Sequence, residues 1–284
     1  MYTFKNFLVA LIGLLFGLGQ SFCQDDDRNF LRDRGSNGIP TSMFGTYAEK
    51  GDIILYPFYE YYYDKDFEYE PFEFGYGSEI EYRSKYTAHE GLIYFGLGIS
   101  DWVMVELEAA VISGKLEKST DDTSQMPDEI KESGLGDVEG QVRWRYNMET
   151  LKKPEYFSYL EFVFPFTPDK PLTGTGDWEF KLGSGILKGF KFGTMTFRIA
   201  AEYDGAEDKF ELGEMALEYL RKVNDWFRFY IGVEGTQDEW ELINDLQFHI
   251  KSWMFIRVNN AIGITSKATD YAPELGVVFY LNKI

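Results

Sequence analysis

A repeated alternation of apolar and polar residues constrains this chain more than any other feature. From Ile53 onward the sequence divides into segments of roughly 10 to 14 residues, each ending in Gly, Asp, Asn, Pro or Lys clusters. In the last segment Leu275, Val277 and Phe279 share one face, and Glu274 belongs to the other. Only a period of two sorts the residues in this way, so the segments are predicted to be β-strands.

The alternation recurs often enough to predict a complete barrel. Twelve strands are predicted, at 53–63, 82–99, 102–115, 135–147, 156–167, 176–188, 193–204, 211–221, 226–236, 239–250, 253–265 and 271–281. An even number places both chain ends on one side, as in bacterial single-chain barrels. We therefore predict an all-β fold in which residues 51–284 form a single antiparallel, up-and-down transmembrane β-barrel.

The connections between the predicted strands agree with this topology. The set at 100–101, 147–155, 189–192, 222–225 and 251–252 is mostly short, whereas the opposite set includes the long 64–81 and 116–134. Outer-membrane barrels have short periplasmic turns and longer extracellular loops in this order.

Hydropathy restricts the kind of membrane-spanning segment that the chain can form. After the N-terminal segment the chain has no run of about 18 apolar residues, which excludes helical membrane spans, and its mean hydropathy is −0.30. A barrel strand needs only every second residue to be apolar.

The net charge of −19 excludes nucleic acid and anionic membrane surfaces as partners. Lipopolysaccharide bridged by divalent cations stays open as a partner, beside the lipid of the outer membrane.

The N-terminus has the pattern of a secretory signal peptide over residues 1–23. Lys5 supplies a positive charge, Phe7–Gly19 is an apolar stretch too short for a stable anchor, and Cys23 is small enough to precede a cleavage site. A lipoprotein cut before Cys23 is the alternative, although Phe22 is bulky for such a site. Cleavage after Cys23 leaves no cysteine for a disulfide, zinc site or thiol nucleophile.

The next segment, residues 24–50, is polar, punctuated by Gly and Ser, and without alternation. It is too short for a domain. We predict a flexible periplasmic segment, with folding into the lumen as a plug as the alternative.

Aromatic residues concentrate near the ends of the predicted strands, where barrels carry interfacial girdles. They are Tyr61, Tyr62, Tyr63, Trp102, Trp144, Tyr146, Tyr203, Tyr219, Trp226, Trp240, Trp253 and Tyr271. The alternative is the general preference of aromatic residues for strands.

If the apolar faces meet lipid, the polar faces line the lumen. The predicted lumen-lining residues are Glu106, Glu108, Glu139, Arg143, Arg145, Glu161, Glu179, Lys181, Arg198, Glu202, Glu218, Arg228, Glu234, Glu241, Asp245, Arg257 and Glu274. Such a lumen can be filled by carboxylate and guanidinium ladders that hold the wall rigid, or it can be a water-filled path that selects solutes by charge. The excess of acidic residues favours cationic or neutral solutes.

Two acidic stretches fall in predicted loops, at 64–73 and 116–134. Clustered carboxylates could bind Ca²⁺ or share divalent cations with lipopolysaccharide. No spacing matches an EF-hand, and solvated loops are usually charged, so no metal site or cofactor is predicted.

Catalytic patterns are absent from the sequence. It contains no G-x-S-x-G, H-E-x-x-H or P-loop motif. Its two histidines, His89 and His249, belong to segments near opposite rims, and Ser84 is offset from His89 by five residues, which places the two on opposite strand faces. No enzymatic activity is predicted.

Two stretches resemble a known family. SGLGDVEGQVRWRY at 133–146, and 160–204 with its apolar-Pro pair, Gly-rich loop and GDW strand start, are similar to outer-membrane barrels of the "MetA-pathway of phenol degradation" family. The resemblance covers roughly residues 50–284. It implies a channel for small, often aromatic or hydrophobic compounds, with no catalytic residues to carry over. The charged lumen fits a hydrophobic solute poorly, and the chain ends in Ile284 where barrels often end in Phe.

Together these features predict an outer-membrane channel of a Gram-negative bacterium for passive uptake of small molecules. The alternative is a non-conducting structural or adhesive barrel that presents its acidic loops to partners.

Overall fold

The computed structural model describes residues 48, 50–150, 152–166, 170–190, 192–205 and 209–281, which form twelve β-strands. The strands are β1 (Ile53–Tyr69), β2 (Tyr82–Ser100), β3 (Val103–Glu117), β4 (Glu129–Asn147), β5 (Glu155–Phe164), β6 (Glu179–Phe190), β7 (Gly193–Asp204), β8 (Lys209–Lys222), β9 (Phe227–Gly235), β10 (Trp240–Lys251), β11 (Met254–Gly263) and β12 (Tyr271–Leu281). The predicted signal peptide, most of the predicted N-terminal segment and Ile284 lie outside the described residues.

The strands close into one barrel. Each pairs antiparallel with its neighbours in sequence, and β1 pairs with β12. This confirms the predicted all-β, antiparallel up-and-down barrel. At the closure Ile53 is opposite Leu281, and the Tyr280 hydroxyl donates to the Asp52 carboxylate at 2.6 Å. Because the sheet is closed, the first and last strands form hydrogen bonds with each other along their edges.

The barrel has two different ends. The short-turn end contains the start of β1, the end of β12 and the connections 101–102, 148–154, 191–192, 223–226 and 252–253. The long-loop end contains the connections 70–81, 118–128, 165–178, 205–208, 236–239 and 264–270.

Two of the predicted long loops are shorter in the structure, because β1 continues to Tyr69 and β4 begins at Glu129. The added strand residues are joined across strands by ion pairs as well as by aromatic contacts. Arg83 on β2 pairs with Glu68, and Lys115 Nζ on β3 lies 2.5 Å from Glu129 Oε2. Opposite charges stabilise paired strands, but they do not produce the apolar alternation that the prediction used.

The two faces of the strands differ as the alternation predicts. On β3, Leu107 and Val111 face outward and are 49% and 58% exposed, whereas Met104 and Glu106 face inward and are 0% and 6% exposed. An exposed face that is mainly apolar is typical of a surface in contact with lipid hydrocarbon.

Exposed aromatic side chains form a belt near each end. Near the short-turn end the belt contains Trp102, Tyr146, Tyr156, Phe190, Trp226 and Trp253, and near the long-loop end it contains Tyr59, Trp178, Phe180, Phe210 and Tyr271. Tyr62, predicted among these aromatics, instead faces the interior and lines a cavity. None of the described residues belongs to a helix of the length and apolarity that a membrane crossing requires.

Candidate functional site: the barrel interior

Apolar side chains fill the interior at the short-turn end. The short-turn cluster consists of Ala48, Ile54, Tyr56, Tyr94, Met104, Phe157, Tyr159, Leu187, Ala200, Phe255, Val278 and Tyr280. Met104, Tyr159 and Leu187 have no exposed surface. The backbone nitrogen of Ala48 lies 3.4 Å from Met104 Sδ, so the chain preceding β1 reaches this cluster.

Two predicted lumen arginines are packed into this layer. The Arg143 guanidinium carbon lies 4.5 Å from the centroid of the Phe157 ring, a cation–π contact. Arg145 Nη1 lies 3.5 Å from Glu155 Oε2, and its Nε donates to the Asp101 carbonyl at 2.6 Å. These contacts hold the cations within a packed layer instead of presenting them to open solvent.

A second apolar group lies at the long-loop end. This long-loop cluster consists of Tyr69, Tyr86, Ala88, Leu116, Met126 and Leu172. Leu172 belongs to the β5–β6 connection, which therefore folds back over the interior. The Tyr86 hydroxyl donates to the Leu172 carbonyl at 3.1 Å, and the Leu172 amide donates to Glu132 at 2.9 Å.

Asp137 on β4 anchors the same connection. Its carboxylate accepts hydrogen bonds from the backbone nitrogen of Phe166 at 2.8 Å and from that of Thr175 at 2.6 Å. The Thr175 hydroxyl donates to it as well, at 3.0 Å. Bonds from backbone N–H groups to a charged acceptor are stronger than neutral ones, so Asp137 fixes where this loop lies over the interior.

The described residues line three cavities inside the barrel. The outer cavity of about 430 Å³ lies beneath Leu172 and the β5–β6 connection. The middle cavity of about 200 Å³ is lined by residues of β2 to β6 and β8, and the far-wall cavity of about 250 Å³ mainly by residues of β1 and β7 to β12. Glu108 lines all three, so the cavities meet near this carboxylate.

Glu108 has another carboxylate directly opposite it. Glu108 on β3 and Glu139 on β4 are cross-strand partners, and both line the middle and outer cavities. Among the described residues, neither forms an ion pair or a hydrogen bond. Like charges placed directly opposite on paired strands repel each other.

Basic residues compensate carboxylates elsewhere in the interior. Arg198, which is 2% exposed, contacts three of them: it pairs with Glu214, its Nε lies 3.2 Å from Glu218 Oε1, and its Nη2 lies 2.6 Å from Glu234 Oε2. A buried guanidinium is stable only when such partners offset its lost hydration.

A second network joins β10, β11 and β12. Arg257 Nε lies 2.9 Å from Asp245 Oδ2 and 3.9 Å from Glu274 Oε1, and the guanidinium carbon is 5.5 Å from the centroid of the Tyr56 ring. The Tyr56 hydroxyl donates to Glu274. Lys181 and Glu161, 3.0 Å apart, form a smaller pair in the middle cavity.

The structure places the predicted lumen-lining residues on inward faces. Those that line the three cavities are Glu106, Glu108, Glu139, Glu161, Glu179, Lys181, Arg198, Glu218, Glu234, Arg257 and Glu274. Four others are buried: Arg143, Arg145, Arg228 and Asp245. Glu202 is the cross-strand partner of Lys181, and Glu241 is that of Glu234, so both face inward with their partners. That these residues line a conducting path stays a prediction.

The prediction did not include the apolar inward residues. Tyr94 and Met104 share a face with predicted Glu residues, and the inward face of β12 ends in Val278 and Tyr280. The sequence does carry a signal for these residues. The inward positions of a strand become apolar and aromatic toward its short-turn end.

The two histidines occupy different faces of the barrel. His89 faces outward, with its Nδ1 2.6 Å from the Tyr59 hydroxyl, and His249 faces inward and stacks on Phe255 at 4.6 Å between ring centroids. Within the described ranges, no three His, Cys, Asp or Glu side chains are grouped so as to hold a metal ion.

The chain is similar to known proteins in its fold. No family model and no curated protein matches the chain. The COG4313 outer membrane channel from Pseudomonas putida F1 is similar in structure, with a TM-score of 0.61 and 12% identity over 86% of this chain and 100% of that chain. The translocator domain of autotransporter NalP from Neisseria meningitidis has a TM-score of 0.49 and 10% identity over 82% of this chain and 89% of that chain.

The likeness to the Pseudomonas channel shows that the chain has the fold of an outer-membrane barrel. At this identity it shows the fold alone. The resemblance to the phenol-degradation family, noted from the sequence, stays a prediction.

Proposed function

We propose that this protein is an outer-membrane channel that admits small cationic or neutral molecules and has no enzymatic activity. The observation that carries the proposal is a closed barrel with three interior cavities that meet near Glu108. An acidic interior attracts cations and repels anions. The apolar outward face and the two aromatic belts support a place in the outer membrane of a Gram-negative bacterium.

In this proposal the short-turn end faces the periplasm, because outer-membrane barrels keep their termini and short turns on that side. The signal peptide at 1–23 would direct export, and residues 24–50 would lie at the periplasmic end, where Ala48 contacts the short-turn cluster. The cavities beneath Leu172 then face the cell exterior, and the short-turn cluster separates them from the periplasm. Passage of a solute requires side chains of this cluster to move.

The acidic residues of the long-loop end are proposed to contact lipopolysaccharide through shared divalent cations. Glu70, Glu73, Glu79 and Glu81 lie in or beside the 70–81 connection. Removal of divalent cations with a chelator should weaken binding of lipopolysaccharide to the purified protein if cations bridge the two.

A non-conducting structural barrel is the second candidate, and the short-turn cluster is the observation that favours it. Single-channel recording in planar bilayers separates the two. Resolved current steps and a reversal potential that indicates cation preference support the channel. A folded protein, recognised by heat-modifiable gel mobility, that stays silent at all voltages supports the structural barrel.

Lumen variants test the selectivity in the same recordings. Glu108→Gln removes one negative charge where the cavities meet, so the preference for cations should fall. Glu79→Gln removes the same charge from the exposed long-loop end and serves as the matched control. Unchanged selectivity in the Glu108 variant would contradict a path through these cavities.

A further inference from the structure

The outer cavity combines an apolar wall with an acidic floor. Tyr86, Leu92, Ile112 and Leu172 contribute apolar surface to it. Glu90, Glu108, Glu139 and Glu179 contribute carboxylates. Of the described residues that line it, none is a lysine or an arginine. Among the described residues, the carboxylates of Glu90, Glu108 and Glu139 therefore have no basic side chain beside them in the lining of this cavity.

The lack of a neighbouring basic group is clearest at one pair of carboxylates, where the outer and middle cavities meet. Glu108 and Glu139 are directly opposite each other and line both the outer and the middle cavities. The nearest basic group among the middle cavity's lining residues, Lys181, is already paired with Glu161 at 3.0 Å. A bound cation between the two glutamates would relieve their repulsion.

The middle cavity adds hydrogen-bond acceptors for which the described part of the chain supplies no donor. Glu106 and Gln141 line it, are each 6% exposed, and are cross-strand partners. One carboxylate oxygen of Glu106 and the side-chain oxygen of Gln141 accept no hydrogen bond from any residue that the structure describes. The Gln141 amide nitrogen donates to Glu161 at 2.9 Å, which turns its oxygen away from that partner. Buried acceptors without donors are costly, and a ligand that carries N–H groups would satisfy them.

We propose that the outer and middle cavities form a binding site for amphipathic organic ammonium ions. The ammonium group lies between Glu108 and Glu139 and donates hydrogen bonds toward Glu106 and Gln141. The apolar body packs in the outer cavity against Tyr86, Leu172 and their neighbours. Ammonium is a compact triple donor, so it matches several acceptors at once, and the apolar wall selects amines with an aromatic or aliphatic body over hydrated metal ions.

Such a site would define the class of solute that the proposed channel admits, so its biological role rests on the proposed function. Binding itself can be measured without conduction. Isothermal titration calorimetry of the full chain folded in detergent micelles would use three probes of similar shape: 2-phenylethylamine, 2-phenylethanol and 3-phenylpropionate. The amine is expected to bind at least about tenfold more tightly than the alcohol, and the carboxylate more weakly still. Equal affinity for the amine and the alcohol would overturn the proposal without any variant.

Variants locate the site. The double variant Glu108→Gln, Glu139→Gln is expected to weaken amine binding by at least about tenfold. The matched control Glu79→Gln, Glu81→Gln removes two carboxylates from the exposed long-loop end and should bind as the unmodified protein does. If the double variant fails to fold, Glu108→Gln and Glu139→Gln are tested singly. Unchanged affinity in every folded variant would place the amine elsewhere and refute the site.

The outcomes separate this site from the channel. Amine binding by a barrel that is silent in planar bilayers supports the site and refutes conduction. Resolved currents from a protein that does not discriminate amine from alcohol support conduction and refute the site. Calcium chloride that displaces the amine at concentrations well below those of other salts would also refute it, because the site would then be a metal site.

Discussion

The ring of Tyr159 on β5 lies against the backbone of Gly183 on β6. The two residues are cross-strand partners, and a Cβ at Gly183 would stand 2.1 Å from the Tyr159 Cζ. Gly185, two residues along β6, accommodates Phe157 in the same way. The short-turn cluster therefore depends on glycines that leave room for the rings, as well as on the rings themselves.

Replacement of Gly183 by Val should destabilise the barrel. The added side chain collides with Tyr159, which has no exposed surface and little room to move. Overpacking of this kind costs about 1–3 kcal/mol. Denaturant unfolding of the refolded protein in lipid vesicles measures the loss. Gly91→Val is the control, because nothing lies within 4 Å of a Cβ at that strand position; an equal loss in both variants would contradict the packing explanation.

An arginine on the outward face should cost stability according to its depth. Leu107 is an outward residue of β3 and is 49% exposed. Leu107→Arg should cost about 2–4 kcal/mol if Leu107 faces the centre of the bilayer. Ser113→Arg, also outward on β3 but closer to the long-loop end, should cost about 0–1 kcal/mol. Unfolding in vesicles checks both, and equal costs would indicate that this face does not meet hydrocarbon.

The arrangement of the strands could be predicted because one local rule, alternation, repeats along the whole chain. Residues such as Leu107 and Glu106 reveal their faces through their own polarity. The division of the interior could not be predicted in the same way. Met104 and Glu108 both face inward, but only the closed barrel shows that Met104 is packed in the short-turn cluster and that Glu108 lines the cavities. The position of Leu172 over the interior depends on tertiary contacts that leave no periodic signal.

Loss of the Asp137 carboxylate should loosen the β5–β6 connection. Asp137→Ala removes the acceptor of the bonds from the Phe166 and Thr175 backbone nitrogens. Peptide-level hydrogen exchange across 170–178 should then become faster. Asp177→Ala is the control, because Asp177 accepts the Thr175 hydroxyl bond through its backbone carbonyl, which the substitution keeps. Faster exchange in the control alone would contradict the anchoring role.

Removal of the Arg198 charge should destabilise the β7–β8–β9 wall. Arg198→Met leaves the carboxylates of Glu214, Glu218 and Glu234 facing one another without their common cation. Breaking a buried ion pair from one side costs about 3–5 kcal/mol. Arg83→Met, which breaks the exposed pair with Glu68, should cost about 0–1 kcal/mol. Unfolding midpoints compare the two, and similar losses would contradict the expectation that the buried Arg198 network is costlier to break than an exposed pair.

Acid should release the 118–128 connection at low pH only. Burial raises the pKa of Asp122, but hydrogen bonds from Ser124 and Tyr69 lower it more, so the pKa lies below its ordinary value. A lowered pKa stabilises the loop above the unfolded pKa of about 3.9, and this stabilisation is lost as the pH falls through the folded pKa. Hydrogen exchange protection of this loop should therefore be constant from about pH 7 to about pH 5.

Two variants test the assignment to Asp122. Asp122→Ala should reduce the protection already at about neutral pH, because the acceptor is gone at every pH. Asp121→Asn should leave it unchanged, since the Asp121 backbone nitrogen makes the bond to Ser119. Loss of protection in the unmodified protein at about neutral pH would argue for a different titrating group.

The hydrogen bond between Asp52 and Tyr280 spans 228 positions of the chain. Contacts of such long range are slow to form, because the intervening chain must first be brought together. Until the last strand arrives, β1 carries a row of unsatisfied backbone donors and acceptors that other chains could bind. The barrel is therefore expected to fold only after the whole polypeptide has been delivered, and its unfinished forms require protection from aggregation on the way.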